Sequence, residues 1–137
     1  MNKTEPRLVP SEIGRAGEDE AVKYLKKKKY KIIDRNVREG KSEIDIIALY
    51  GDTLVFVEVK SAVRPKEMTY LSRPADAVNK SKMTYLIRGA QKFCRDDPTK
   101  YSVFYKRFDV IEVYFEINGG KFSVSDIKHF ENAFGRS

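Results

Sequence analysis

Two strand-like segments joined by a tight turn constrain this chain more than any other feature of its sequence. Residues 43–50 (EIDIIALY) and 53–60 (TLVFVEVK) are rich in β-branched and aromatic side chains. The Gly-Asp dipeptide between them is typical of a two-residue hairpin loop. Such a loop pairs Tyr50 with Thr53, and the register of both strands follows from that pair. The sequence therefore predicts an antiparallel hairpin with a defined register.

The predicted register places charged side chains together on one face of the hairpin. Asp45 falls directly opposite Glu58, and Glu43 falls opposite Lys60. Directly opposed residues have Cβ atoms about 4.5 to 5.5 Å apart, so two carboxylates at this distance repel each other unless something compensates their charge. A raised pKa, a nearby lysine or a divalent cation would each do so. Clustered carboxylate oxygens are the ligands that Mg²⁺ prefers.

The same residues admit a structural interpretation. A salt bridge between Glu43 and Lys60 would leave the other two carboxylates solvated on an open sheet face, which is common in antiparallel sheets. However, Ile47, Leu54 and Phe56 fall on the same face, which is therefore apolar over part of its area. A three-residue turn would shift the pairing by one residue, although the two opposed acids would remain near neighbours.

Helical and strand-like segments flank the hairpin. The spacing of Gly14, Gly17, Ala21 and Leu25 predicts a helix over residues 11–28, and Glu18 falls on the same inward stripe. The other predicted elements are a strand at 31–36, a helix at 74–95, a strand at 107–117, and a short helix or tail from 125. This order predicts an α/β fold in which a mixed central β-sheet is flanked by helices.

Length and composition set the broad class of protein. Residues 1–10 contain prolines and no periodicity and predict a flexible N-terminal arm, whereas residues 11–137 are enough for one domain with a core. The formal net charge of +7 favours polyanionic partners, although it also serves solubility. No apolar run approaches the roughly 20 residues of a membrane span. The single cysteine, Cys94, excludes an internal disulfide, and we expect a cytoplasmic protein.

Basic side chains that follow the hairpin are candidates for phosphate contacts, with a solvated surface as an equal interpretation. These candidates are Arg64, Lys66, Arg73, Lys80 and Lys82.

Three other residues with potentially reactive side chains are expected to have structural roles. Asp109 lies two residues after Arg107 within a predicted strand, and we expect it to be the partner of an arginine. His129, the only histidine, is expected at the surface or in packing rather than in catalysis. Cys94 lies at the end of the long predicted helix and is expected to pack as a small apolar side chain.

The motifs resemble a known family. Asp45 followed by Glu58-Val59-Lys60 on the adjacent strand resembles the PD-(D/E)xK nuclease signature, with Glu18 in the position of the acid on the first helix of that fold. More closely, the chain is similar from about residue 14 to 134 to the YraN-like family, small bacterial proteins described as endonuclease-like. The segments that carry this similarity are GRAGEDEAVKYL, YKIIDRNVR, SEIDIIA, VFVEVKS, residues 74–80, RFDVIEV and HFENAF.

The resemblance implies a restriction-endonuclease-like αβββαβ core and a deoxyribonuclease that depends on Mg²⁺ or Mn²⁺. Asp45 and Glu58 would ligate the metal with the Val59 carbonyl, and Glu18 would support it directly or through water. Lys60 would orient the attacking water or stabilise the charge of the transition state. Glu43 would play a supporting part.

The YraN-like family is also similar to archaeal Holliday-junction resolvases. This implies branched or damaged DNA as the substrate and a homodimer as the assembly. The chain departs from the family at Ser42, where glycine is usual, and from the superfamily signature at Ile44, which replaces proline. A non-catalytic nucleic-acid-binding or scaffold module with the same fold is the second hypothesis, and a protein–protein adaptor is the third.

Overall fold

The structure, a computed structural model, describes residues 10–64 and 80–134. Its elements are α1 (Pro10–Lys27), β1 (Lys31–Glu39), β2 (Ser42–Tyr50), β3 (Thr53–Val63), α2 (Lys80–Asp96), α3 (Pro98–Tyr101), β4 (Tyr105–Asn118) and β5 (Lys121–Phe134). The predicted N-terminal arm, apart from its last residue, and the segment 65–79 lie outside the described residues. The predicted αβββαβ order is confirmed, with a further strand at its end.

The strands within the described residues form a five-stranded sheet in the order β1-β2-β3-β4-β5. Strands β3 and β4 run parallel, and the other neighbours run antiparallel. The predicted mixed sheet is therefore confirmed. Tyr50 pairs with Thr53, as the two-residue turn requires, and Gly51 supplies the left-handed φ of 61° that such turns demand.

Helices cover both faces of the sheet. On one face, Ala21 and Leu25 of α1 pack against Val55 and Val57 of β3. On the other, Leu86 and Ala90 of α2 pack in a second cluster that includes Leu54, Phe56 and Ile47. Successive side chains of a strand point to opposite faces, so a strand buried on both faces is apolar at nearly every position. This explains the continuous apolar run of β3.

Glycines let both helices approach the sheet closely. A Cβ atom at Gly17 of α1 would lie 1.7 Å from the Oγ atom of Ser61 on β3. A Cβ atom at Gly89 of α2 would lie 2.7 Å from the Oγ atom of Ser42 on β2. Both distances are far shorter than van der Waals contact, so the observed helix positions require glycine there.

The C-terminal segment was predicted wrongly. The expected short helix or tail from residue 125 is part of β5, which pairs antiparallel with β4 from Lys121 to Phe134. The β4–β5 register shifts between Phe108 and Val110 and again between Tyr114 and Phe115. These irregularities break the alternation of apolar and polar residues, so the sequence lacks a clear strand period.

The described helices, in residues 10–64 and 80–134, do not combine the length and apolarity that crossing a membrane takes.

Candidate metal centre

The two hairpin strands separate where the predicted acids lie. The β2–β3 ladder ends at the pair Ile46–Val57, one position before Asp45 and Glu58. Beyond that point β3 continues to Val63 in register with β4. The carboxylate of Asp45 bridges the gap, because its Oδ2 accepts a hydrogen bond from the Val59 N–H with an N–O distance of 2.8 Å. We call this opening, with residues 45 and 58–60, the fork.

Glu58 is the most deeply buried charged side chain of the fork, with 4% of its surface exposed. Its Oε2 atom lies 3.1 Å from the Nζ atom of Lys60 and 2.5 Å from the Nζ atom of Lys82. A carboxylate this deeply buried requires compensating charge, and two ammonium groups provide it. Burial alone would lower the pKa of Lys82, but the hydrogen bond and charge of Glu58 outweigh burial and raise it.

Asp45 has a very different electrostatic environment. Burial first, and then the charge of Glu58, raise the pKa of Asp45 to about 7, although the Val59 N–H opposes the shift. The nearby charge of Glu18 also raises this pKa. The charge of Lys82 lowers the pKa of Asp45 by less than burial and Glu58 raise it, so the negative charge of Asp45 is only partly compensated. Such a carboxylate gains more than an ordinary one from a cation beside it.

Glu18 of α1 lies in the same cleft, a cavity of about 380 Å³ that Asp45, Glu58, Lys60 and Lys82 also line. Its carboxylate is 3.9 Å from the guanidinium of Arg35. Burial raises the pKa of Glu18, while Arg35 opposes this shift. Within residues 10–64 and 80–134, no three side chains of His, Cys, Asp or Glu are close enough together to hold one metal ion.

The fork residues fit a cation bound by two carboxylates rather than three. Mg²⁺ commonly keeps several water molecules and binds through one or two carboxylates, which is the number that the fork brings together. The two ammonium groups on Glu58 show that the cleft accepts positive charge beside one of the two predicted metal ligands. Glu18, which lines the same cleft from α1, would then reach the ion through water.

The predicted pairing of Glu43 with Lys60 is wrong. Glu43 lies opposite Arg38 of β1, and their charged groups are 3.9 Å apart. Lys60 pairs with Glu58 instead. The reason is the separation of the strands: once β2 and β3 part, the neighbour that remains beside Glu43 is β1.

The predicted phosphate contacts have different locations. Lys82 lies in the cleft, on Glu58. Arg64, at the end of β3, is held with its guanidinium 4.2 Å above the ring of Tyr114 and 3.8 Å from Asp126. Lys66 and Arg73 lie outside the described residues, as does the side chain of Lys80.

Sequence reasoning missed Glu112, a fully buried acid on β4. It lies beside Lys60 in the parallel β3–β4 ladder and accepts a hydrogen bond of 2.8 Å from the Tyr114 hydroxyl. The available signal was an acid within an apolar strand, IEVYF, the same pattern that FVEVK of β3 shows. Glu112 therefore places a buried acid beside the lysine of the fork.

A larger cleft, of about 710 Å³, lies between α2, α3 and β4. Its described lining includes Cys94, Arg95, Lys106 and Phe108 but no carboxylate. Burial raises the pKa of the Cys94 thiol. The side chain packs against the apolar cluster that contains Leu86 and Ala90 of α2, as expected of a small apolar residue. This cleft lacks the acidic chemistry of the fork.

Comparison with known proteins identifies the family. The profile of the uncharacterised protein family UPF0102 matches residues 17–113. The chain belongs to this family. The resemblance to the YraN-like proteins is thereby confirmed.

The relatives cover most of the chain. A UPF0102 protein of Caldicellulosiruptor saccharolyticus is 42% identical over 123 residues, which is 90% of this chain and 97% of the relative. A UPF0102 protein of Alkaliphilus oremlandii is 40% identical over 122 residues, which is 89% of this chain and 97% of the relative. Among solved structures, SfsA of Pyrococcus furiosus in complex with Ca²⁺ aligns with a TM-score of 0.38 at 18% identity, over 86% of this chain and 63% of that chain.

Proposed function

We propose that this protein is a metal-dependent deoxyribonuclease of the PD-(D/E)xK type. The observation that carries the proposal is the fork, where Asp45 and Glu58 come from separating strands into one cleft with two lysines. Asp45 and Glu58 would hold Mg²⁺ or Mn²⁺, assisted by the Val59 carbonyl. When bound, the ion would stabilise charge on a phosphate and lower the pKa of a bound water molecule.

The protein side chains supply the rest of the chemistry. Lys60, tied to Glu58 at 3.1 Å, is positioned to orient an attacking water or to stabilise negative charge on the phosphate. Glu18, which lines the same cleft, would accept a hydrogen bond from water at the ion. Glu58 is nearly fully buried, so its interactions with the two lysines are stronger than they would be in bulk water.

The proposed substrate is DNA, with branched or damaged structures as the proposed forms. The net charge of +7 favours a polyanion, and Arg64 holds a fixed position at the end of the strand that carries Glu58. A homodimer would present two forks to one branched substrate, as the similarity to junction resolvases implies.

The decisive experiment measures cleavage of linear, flapped and four-way DNA by pure protein with Mg²⁺ or Mn²⁺. We expect cleavage that falls at least about 100-fold in Asp45→Asn and in Glu58→Gln, because each loses part of the metal site. Asp96→Asn, which changes an exposed acid of α2 outside the cleft, is the matched control and retains the wild-type rate. Absence of any cleavage that depends on the two fork acids rejects the proposal.

One observation favours a second function, nucleic-acid binding without cleavage. Two lysines pair with Glu58, so side chains of the protein itself compensate its buried charge. This function predicts salt-sensitive DNA binding with an affinity that Asp45→Asn leaves unchanged and that removal of the Arg64 guanidinium weakens. A gel-shift series at increasing salt separates the two functions.

A further inference from the structure

Lys82 occupies an unusual position for a residue that was expected to contact phosphate. It belongs to the first turn of α2, whereas the acid that it contacts belongs to β3. Its Nζ atom is 2.5 Å from the Oε2 atom of Glu58, the oxygen that Lys60 also contacts at 3.1 Å. Each carboxylate oxygen offers about two lone pairs, so these two ammonium groups occupy the acceptor sites of Oε2.

A cation cannot therefore use Oε2 of Glu58 without displacing one ammonium group. Mg²⁺ binds carboxylate oxygens at about 2.0 to 2.1 Å, closer than either nitrogen. The two lysines differ in how readily they can leave. Lys60 is on the same strand as Glu58, two residues away, and only 20% of its side chain is exposed. Lys82 comes from another element, and 43% of its side chain is exposed.

We propose that Lys82 is the counter-ion of Glu58 in the cation-free protein and that it exchanges with the metal. Binding of the ion to Oε2 of Glu58 releases the ammonium group of Lys82 toward the open side of the cleft, where it can contact a substrate phosphate. The exchange rests on the proposed function, because it requires that a metal bind the fork. The role of Lys82 as the counter-ion of Glu58 does not depend on the proposed function.

This exchange makes metal and Lys82 antagonists at Glu58. The protein then binds its metal more weakly than the same cleft without the lysine would. A phosphate that captures the released ammonium group favours the exchanged state, so it strengthens metal binding by the same factor by which metal strengthens phosphate binding. The metal site would therefore fill most completely when substrate is present.

The first experiment tests the counter-ion role by thermal unfolding in EDTA. Lys82→Met keeps the aliphatic length and removes the charge, and we expect it to lower Tm by about 4 °C or more, because Glu58 loses a partner. The same change in a Glu58→Gln background should have at most half that effect. Lys92→Met is the matched control: Lys92 lies on the same helix and pairs with Glu39 and Asp96, outside the cleft. Its effect should be equal in both backgrounds.

The second experiment tests the exchange by titrating Mn²⁺ and following the free ion by electron paramagnetic resonance. We expect Lys82→Met to bind Mn²⁺ about ten-fold more tightly than the wild type, within the usual range of coupling between sites. Lys92→Met should stay within about two-fold of the wild type, which separates direct competition from the general loss of one positive charge. Saturating Mn²⁺ should also remove the Tm difference between Lys82→Met and the wild type.

Each outcome tests a different part of the proposal. Equal Tm losses from Lys82→Met in both backgrounds overturn the counter-ion role. Mn²⁺ binding by Lys82→Met that is equal to or weaker than that of the wild type overturns the exchange. Mn²⁺ binding with the expected changes but no cleavage of any DNA supports the exchange and rejects the proposed nuclease.

Discussion

Asp45 and Asp109 lie on the same sheet and have opposite environments. Asp109 of β4 is fully buried, and both of its oxygens are occupied. Arg107 donates to them through Nε at 2.9 Å and a terminal nitrogen at 2.8 Å, His129 Nε2 lies 2.7 Å away, and the Asn132 N–H donates at 2.9 Å. Asp45 accepts the Val59 N–H, while the lysines near it pair with Glu58.

The difference appears in the two pKa values. Burial alone would raise the pKa of Asp109, but the hydrogen bonds from His129 and Arg107 outweigh it, and the pKa is lowered. Burial and the charge of Glu58 raise the pKa of Asp45 to about 7. A buried carboxylate with its donors supplied is a structural element, whereas a buried carboxylate with a raised pKa is a candidate for cation binding. The expected role of Asp109 as the partner of an arginine is confirmed.

The largest expected effect comes from removing the charge of Asp109. Asp109→Asn should lower the free energy of unfolding by about 3 to 5 kcal/mol, because it leaves Arg107 partly buried without its main partner. Asp45→Asn should not lower it at pH 5, since Asp45 is mostly protonated in the folded protein there and the amide is likewise neutral. Urea denaturation followed by circular dichroism measures both. Equal losses in the two variants would show that the two sites do not differ.

The next effect sharpens the contrast through pH. The pKa of Asp45 rises from 3.8 unfolded to about 7 folded, so its contribution to stability is fully present below pH 3.8 and is lost as the pH rises toward 7. Asparagine at this position does not titrate, so Asp45→Asn does not lose stability in this way. Its free energy of unfolding relative to the wild type should therefore increase by on the order of 2 kcal/mol between pH 5 and pH 8.

The same pH series in Asp109→Asn provides the opposite control. The pKa of Asp109 is lowered, so its contribution is present above pH 3.8 and is lost as the pH falls through the folded value. The wild type should therefore keep its advantage over Asp109→Asn from pH 5 to pH 8. A difference between Asp45→Asn and the wild type that stays constant over this range would contradict the raised pKa of Asp45.

The smallest expected effect is at the edge of the Asp109 network. The Tyr24 hydroxyl lies 3.1 Å from Nδ1 of His129, which in turn contacts Asp109. Tyr24→Phe removes that outer hydrogen bond and should lower the free energy of unfolding by about 1 kcal/mol. Tyr50→Phe, at an exposed tyrosine, is the control and should be nearly neutral. A loss from Tyr24→Phe as large as that from Asp109→Asn would mean that the network fails as a unit.

The sequence predicted the hairpin well because its determinants are local. The turn residues fix the register, and the alternation of side chains then places Asp45 near Glu58. The separation of the strands was not predictable in this way, since it depends on β3 continuing beside β4, which follows some 40 residues later in the chain. The Glu43–Lys60 pairing failed for the same reason.

Contacts between distant elements escaped the sequence altogether. The position of Lys82 on Glu58 depends on how α2 packs across the sheet, and a lysine at the start of a helix gives no sign of it. The expected packing role of His129 is confirmed, but its contact with Asp109 was not predictable, because β5 extends further than its pattern indicates. Local patterns fix strands and turns, whereas tertiary packing selects the partners of charged side chains.

The hydrogen bond between the Val59 N–H and Asp45 makes one amide proton of β3 a reporter of the fork. Protonation of Asp45, or its ligation to a cation, withdraws electron density from the oxygen that this proton contacts. The resonance of a single backbone amide would then register both events directly, without a substrate and without any label in the cleft.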